Sequence, residues 1–320
     1  MASVASSSIT SSDMSLLAVV DLGSNSLKVS VVEAATRREM ARASEAVRIF
    51  PTTLGEFTLA RETQVAAAEA VRRLVEFARA QGASTIAILG TSAVRECANR
   101  SEFGALIRAT VGLPLTVISG EVEARLVAAG IRTDPAFAGC PRLTVFDLGG
   151  GSLEVATLHG SQVSLARSFP LGAVRLTHGY LRGGDAVVDE LDQSSIRDHL
   201  VRTLSPVLPP RLAETGLVVG AGGVFSAVAL HLEALGEPIV DGRLPTLRIR
   251  ELKDKLCALP LAERRAVPGI PSDRADIMPA ALLTVCVLAD LTGAESFHLT
   301  HRGLRHGMVE LMLGPSGPLA

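Results

Sequence analysis

From Val145 to Val155 the chain reads VFDLGGGSLEV: a short apolar run that ends in an acid, three glycines and a serine, then resumes as an alternating run. The pattern predicts strand, tight turn, strand. From Val19 to Val29 it reads VVDLGSNSLKV and aligns with the first stretch without a gap. Val19 falls on Val145, Asp21 on Asp147, Leu22 on Leu148, Gly23 on Gly149, Ser26 on Ser152, Leu27 on Leu153 and Val29 on Val155. An ordinary β-hairpin with a glycine turn would explain either copy alone. A single repeat at so long a separation is not a solenoid, whose periods run to about 20–50 residues. It suggests two related domains, each opening with the same hairpin.

The remaining periodicities fill in an α/β chain. The first hairpin extends from Leu16 to Glu33, and alternation through Ala41 to Ile49 predicts a third strand of its sheet. Helical spacing from Thr63 to Gln81 stops at Gly82, and Thr85 to Arg95 reads as a buried strand running into a polar turn. Helix Ser101 to Val111, strand Leu115 to Ile118 and a helix from Glu121 to about Ile131 follow. That last helix is the expected bridge to the second hairpin, across a Pro/Gly-rich loop from Asp134 to Pro141. Next come a strand from Gln162 to Arg167, a turn entering a helix from Phe169 to Thr177, and a long amphipathic helix from Asp185 to Leu204. Leu217 to Val228 reads as strand, glycine turn, helix. An irregular connection around a short helix is expected from Asp241 to Pro271, then an apolar, buried helix from Asp273 to Leu291. Phe297 to Gly307 reads as strand and turn into a final helix through Leu313.

At 320 residues the chain is long enough for two domains of roughly 100–200 residues. An apolar content of 48% with 20% charged residues fits a soluble globular protein. The net charge of −2 provides no overall attraction to a polyanion, so such a ligand must meet a local cluster. Neither nucleic acid nor membrane is an expected partner. Lys28, Lys253 and Lys255 are the lysines and every other cation is arginine, a ratio that composition bias explains. The four cysteines are widely spaced without C-x-x-C, which indicates neither zinc nor a disulfide framework and fits a reducing cytoplasm. Residues 1–14 read as a disordered, serine-rich leader, with Met14 a possible start, and no apolar run is long enough to span a bilayer.

Glycine turns let backbone take φ > 0 and approach a ligand, and successive N–H groups can converge on an anion. Asp147, where strand hands over to turn, could hold a metal beside that anion. Gly222 and Gly223 open a third such place at a helix N-terminus. Two facing phosphate hairpins imply a ligand in the cleft between them. Glu121 and Glu123, two residues apart, point about 200° away from each other on a helix, so only one can face that cleft. First-turn acids stabilised by the helix dipole are the alternative for both. The bunch of His301, Arg302, Arg305 and His306 reads as structural or surface rather than metal-binding.

Taken in order, DLGSNSLKV at Asp21, GTSAVRE at Gly90, SGEVEARL at Ser119, DLGGGSLEV at Asp147, FPLGAVRLT at Phe169, VGAGG at Val219 and GLRHG at Gly303 resemble the Ppx/GppA family. This family comprises exopolyphosphatases and guanosine pentaphosphate phosphohydrolases, within the superfamily of actin, heat-shock ATPases and sugar kinases. The resemblance implies two ribonuclease-H-like (actin-like ATPase) domains, mixed sheets flanked by helices, with an interdomain cleft. They are expected over residues 15–125 and 126–303, with a final helix at 304–314 that packs back on the first. It implies hydrolysis of the terminal phosphoanhydride of polyphosphate, or of guanosine pentaphosphate (pppGpp), with Mg²⁺ or Mn²⁺, stimulation by K⁺, and a homodimer. A non-hydrolytic actin-like module and a kinase are the competing classes, and the glutamate at the motif position argues against the first.

By the same resemblance the catalytic glutamate is Glu123, and the metal and water-orienting carboxylates are Asp147 and Glu154, with Asp21 beside the metal. Phosphate-binding backbone falls on Gly23, Ser24, Asn25 and Ser26, on Gly149, Gly150, Gly151 and Ser152, and on Gly222 and Gly223. Arg95, Arg175 and Arg305 are expected to contact phosphate oxygens. Val224 replaces a family threonine, which weakens nucleotide recognition at that glycine turn, and His306 replaces a common glutamate. Longer members continue into a helical HD-type domain, whose grip on long chains is expected to be absent here.

Overall fold

The computed structural model describes residues 15–50, 57–208, 212 and 216–314, so the expected leader lies outside the described residues. The first sheet holds β1 (Leu16–Leu22), β2 (Leu27–Glu33), β3 (Glu39–Glu45), β4 (Ala83–Gly90) and β5 (Leu115–Val117), in the order β3-β2-β1-β4-β5. β1, β2 and β3 pair antiparallel, and β1, β4 and β5 parallel. The second sheet holds β6 (Arg142–Leu148), β7 (Leu153–His159), β8 (Gln162–Phe169), β9 (Leu217–Gly222), β10 (Arg243–Pro245) and β11 (Ser296–Leu299). Its order is β10-β11-β9-β6-β7-β8, which repeats the first sheet strand for strand and adds β10 at one edge. Two ribonuclease-H-like units of one topology, joined in tandem, make up the fold.

Period-2 alternation sends the two faces of each central strand to different cores. Val19 and Val145 face a cluster built on α4 (Gly120–Arg132) and α11 (Leu304–Leu313). Their neighbours Val20 and Phe146 face a second apolar cluster. Its helices are α1 (Arg61–Ala80) and α3 (Arg100–Val111) in the first half. In the second half they are α5 (Ala173–Tyr180), α6 (Glu190–Leu204), α8 (Thr246–Cys257) and α10 (Met278–Thr292). α10 is buried at every position from Met278 to Ala289, as its unbroken apolar sequence requires.

The chain leaves the first sheet at β5, and α4 already lies on β7 and β8 of the second. A domain boundary at residue 125 would therefore fall inside one continuous helix. α11 packs on α4, β1 and β2, so these two helices cross between the sheets. Glycines permit the crossing. A Cβ on Gly130 would lie 2.0 Å from the Gly303 carbonyl oxygen, and one on Gly307 would lie 1.8 Å from that of Leu126.

Several boundaries depart from the periodicity. The polar turn expected after β4 is a short helix, α2 (Ser92–Glu96). α6 starts at Glu190 rather than Asp185, because the Asp189 side chain caps it, accepting from the Asp192 N–H at 2.7 Å. Residues before it bond sideways instead, Val188 N–H to the Cys257 carbonyl and the Asp185 carbonyl to Leu261 N–H. α10 starts at Met278 rather than Asp273, with Pro279 in its first turn, where the missing N–H costs nothing. The connection from Asp241 to Pro271 is more regular than expected, since it holds β10, α8 and a short α9 (Leu261–Arg264). α7 (Gly223–Ala234) follows β9 directly.

Candidate active site

The two glycine turns meet. A Cβ on Gly151 would fall 2.4 Å from Ser24 Oγ and 2.6 Å from Ser92 Oγ, and one on Gly150 would fall 3.1 Å from Ser24 Cβ. Only glycine admits the first hairpin this closely. A Cβ on Gly172 would likewise strike the Gly150 carbonyl carbon and oxygen at 2.3 Å, which seats the second turn on the start of α5. There the Gly149 and Gly150 carbonyls accept from the Ala173 and Val174 N–H groups, each at 2.9 Å, supplying first-turn donors of α5 with partners. Around the paired turns lies a cleft of about 660 Å³. Asp21, Glu123, Asp147, Glu154, Gly222, Gly223 and Arg305 line it, as do residues 23–26 and 149–152.

Helix geometry separates the two glutamates of α4. Ser119 caps the helix, accepting from Val122 N–H, and Glu123 turns inward to 5% exposure. Glu121 stays outside, paired with Arg125 at 3.0 Å. Arg95 Nη1 donates to Glu123 Oε2 at 2.8 Å and to the Ile118 carbonyl at 2.9 Å. Burial pushes the Glu123 carboxyl up to about 7 against the pull of Arg95, and the Asp21 and Asp147 charges add to the rise. Burial also raises Asp147, to about 6, opposed by Lys28 and Arg305 and helped by Asp21. Asp21 is raised by burial too, against Arg305 and Lys28. Glu154 lies well above the usual carboxylate range, from burial and from Glu123 and Asp147; Ser168 Oγ donates to it at 2.6 Å.

Asp21 Oδ1 is buried without a hydrogen-bond partner, an acceptor that a hard cation or a donor on a ligand would satisfy. Mg²⁺ retains waters and needs one or two carboxylates plus phosphate oxygens, so Asp21 and Asp147 fit it. The trio of Asp21, Asp147 and Glu154 does not form a ready-made three-carboxylate site, and no such group occurs among the described residues. Glu154 is engaged by Ser168 instead.

Two of the three expected phosphate arginines point elsewhere. Arg95 supports Glu123. Arg175 donates through Nε to the Gly151 carbonyl at 2.9 Å and through Nη2 to Glu96 at 2.6 Å, and neither arginine lines the cleft. Arg305 does line it, 3.7 Å from Asp21, with Nε on Ser30 Oγ at 2.8 Å. His306 is buried and held neutral, its imidazole pushed down to about 4 chiefly by burial. Arg302 is spent on the end of α4, donating to Thr133 Oγ1 at 2.7 Å.

Lys28 and Arg274 escaped the sequence reading. Lys28 lines the cleft opposite Asp21 in the β1–β2 register, and Glu154 stands opposite Asp147 in the β6–β7 register. The gapless alignment that matches the hairpins therefore places Lys28 on Glu154, a cation for an acid, and that was the available signal. Burial lowers Lys28 to about 8, with Arg305 and Arg274 contributing. Arg274 arrives from a turn distant in sequence, its guanidinium over Gly223.

The raised carboxylates set a pH dependence. The folded chain holds the Asp147 proton to about pH 6 and the Glu123 proton to about pH 7, whereas the unfolded chain releases both near pH 4. Folding takes up protons in that window, so stability of the ligand-free protein falls as pH rises through it. Between pH 5 and 7.5 Asp147→Asn should narrow the loss by about 1.4 kcal/mol, at ~1.4 kcal/mol for each pH unit traversed below about 6. Urea unfolding at pH 5 and 7.5 checks this; an equal loss in both proteins would place the burial cost elsewhere.

A solved Ppx/GppA family member from Aquifex aeolicus superposes with a TM-score of 0.76 at 21% identity, over 93% of this chain and 98% of its own. An exopolyphosphatase from Cytophaga hutchinsonii superposes with a TM-score of 0.81 at 20% identity, over 93% and 97%. These likenesses establish the actin-like fold. The sequence profile of the Ppx/GppA phosphatase family matches residues 28–314, nearly the whole described chain, and the protein belongs to that family.

Proposed function

We propose that the protein hydrolyses the terminal phosphoanhydride of inorganic polyphosphate, with Glu123 taking the proton of the attacking water. The observation that carries the reading is the meeting of two glycine turns beside one buried, proton-accepting glutamate. Phosphoryl transfer to water needs alignment, charge neutralisation and a group to orient the water. The turn amides would bind the terminal phosphate, with Lys28 and Arg305 neutralising its charge. Arg274 lies at the N-terminus of α7, where the helix dipole disfavours a cation, and no acid pairs with it among the described residues. A phosphate between them would satisfy both. Arg95 fixes the Glu123 carboxylate, whose raised pKa matches a base working near neutrality. Mg²⁺ or Mn²⁺ held by Asp21 and Asp147 would add charge neutralisation on the phosphoryl oxygens.

A second reading, pppGpp 5′-phosphohydrolase, is favoured by the apolar side chains Leu230, Ile277, Met278 and Ala281 among the cleft lining, although Val224 in place of the family threonine counts against nucleotide recognition at the glycine turn beside them. A purine would find a face there. Phosphate release from short and long polyphosphate, pppGpp and ATP, with Mg²⁺ or Mn²⁺ and with or without K⁺, ranks the two by kcat/KM. A preference for pppGpp would replace the first reading with the second. Lys28→Met and Arg305→Ala should each raise KM about tenfold, the loss of one desolvated charge contact of ~1.4 kcal/mol or more. For Arg305→Ala the rise should steepen with polymer length, and a flat KM would remove it from the substrate path.

A further inference from the structure

The structure assigns a positioning role to two arginines, Arg48 and Arg175, each of which ties the phosphate hairpin of its own half to an acid of the other half. The role rests on the phosphohydrolase reading above. Arg48 follows β3 in the first half. Its Nε donates to Asn25 Oδ1, in the first turn, at 2.9 Å. Its Nη1 and Nη2 donate to Asp276 Oδ2 and Oδ1 of the second half at 2.7 and 3.3 Å. Arg175, on α5 of the second half, does the reverse. Its Nε holds the Gly151 carbonyl of the second turn at 2.9 Å, and its Nη2 holds Glu96 of α2, in the first half, at 2.6 Å. The other Glu96 oxygen accepts from Ser92 Oγ at 2.9 Å, and Ser92 lines the cleft.

The two latches are linked. The Arg175 guanidinium lies over the Phe50 ring, 4.6 Å from its centroid, two residues beyond Arg48. Arg48, Arg175, Glu96 and Asp276 all stand outside the cleft wall, so none is placed to touch a phosphate. Both pairs are half-buried, and the planar arginine fork fixes direction as well as distance. With Ser24 against Gly151, a small rotation of one half would shift one set of turn amides relative to a phosphate held by the other. Misplacement by ~1 Å at such a site costs on the order of 100-fold in rate. The arginines thus set the register of two half-sites that one chain must bring together.

The test is phosphate release from long-chain polyphosphate by the full chain carrying Arg175→Gln, Glu96→Gln or both, and Arg48→Gln, Asp276→Asn or both. Each single variant should lower kcat about 10- to 100-fold with little change in KM, and each double should be no worse than its worse single. Arg48→Lys and Arg175→Lys, which keep charge but lose the fork, should show the same defect if the glutamines fail to fold. Wild-type rates in Glu96→Gln beside a raised KM in Arg175→Gln would overturn the latch and make Arg175 a phosphate ligand. Nitroxides at Ala109 of α3 and Asp198 of α6, both exposed, in a Cys140→Ser background, provide a readout independent of turnover. Their distance distribution should broaden in every latch variant, and an unchanged distribution would refute the role. Should the wild type release no phosphate from polyphosphate, the hydrolase reading fails while the distance measurement still decides the latch.

Discussion

Glu123→Gln should lower kcat for polyphosphate by about 10²–10⁴-fold, the range that a positioned general base contributes, with KM within a few-fold of wild type. The side chain is nearly isosteric and keeps an acceptor for Arg95, so the 2.8 Å contact and the helix cap of α4 can survive. What disappears is the capacity to take a proton. Wild-type kcat/KM should rise with pH on a limb centred near 7, because the free enzyme must lose the Glu123 proton before it can accept one from water. Glu121→Gln is the matched control and should leave both rate and limb unchanged, since that side chain faces solvent and pairs with Arg125. Equal turnover in Glu123→Gln and wild type would remove the residue from the chemistry, whatever its burial.

Gly307→Ala should unfold the protein at a markedly lower temperature, and Gly130→Ala should behave alike. In each case the new methyl meets a backbone carbonyl oxygen of the crossing segment, at 1.8 Å for Gly307 and 2.0 Å for Gly130. Backbone cannot rotate aside as a flexible side chain would, so α4 and α11 must separate. Overpacking typically costs about 1–3 kcal/mol, and a clash with backbone lies at the upper end. At roughly 2–4 °C per kcal/mol, melting should fall by about 5–10 °C. Gly104→Ala in α3 has open space around its Cβ and should be neutral or stabilising by about 0.5–1 kcal/mol. A melting point for Gly307→Ala level with that control would mean that the helices do not cross this closely in solution. Because α4 carries Glu123 and α11 carries Arg305, whatever activity survives should fall further than the folded fraction.

The hairpins were legible because their physics is local. A glycine turn between two apolar alternating runs names both strands, and the gapless repeat doubles the statement for Asp21 and Asp147. Glu123 was legible in part: helical geometry requires that Glu121 and Glu123 diverge, but only the resemblance indicated which faces inward. The start of α6 was misread because the pattern around Asp185 is helical while the Asp189 cap overrides it. Arg175 was misassigned for a deeper reason. An arginine in a motif beside a phosphate hairpin has the right chemistry for a ligand, and nothing local says that Glu96 of the other half waits for it.

The amino-acid sequence by itself determined the two half-sites, because strand, turn and helix cap are decided over a few residues by periodicity, glycine freedom and side-chain oxygens. Tertiary structure alone decided which charges work together. Lys28 and Arg305 come to Asp21 and Asp147 while Arg274 comes to Gly223, and burial there moves the carboxylates upward and the lysine downward. Desolvation and charge proximity depend on distances in space between residues far apart in the chain, and the order of residues along it does not encode them directly.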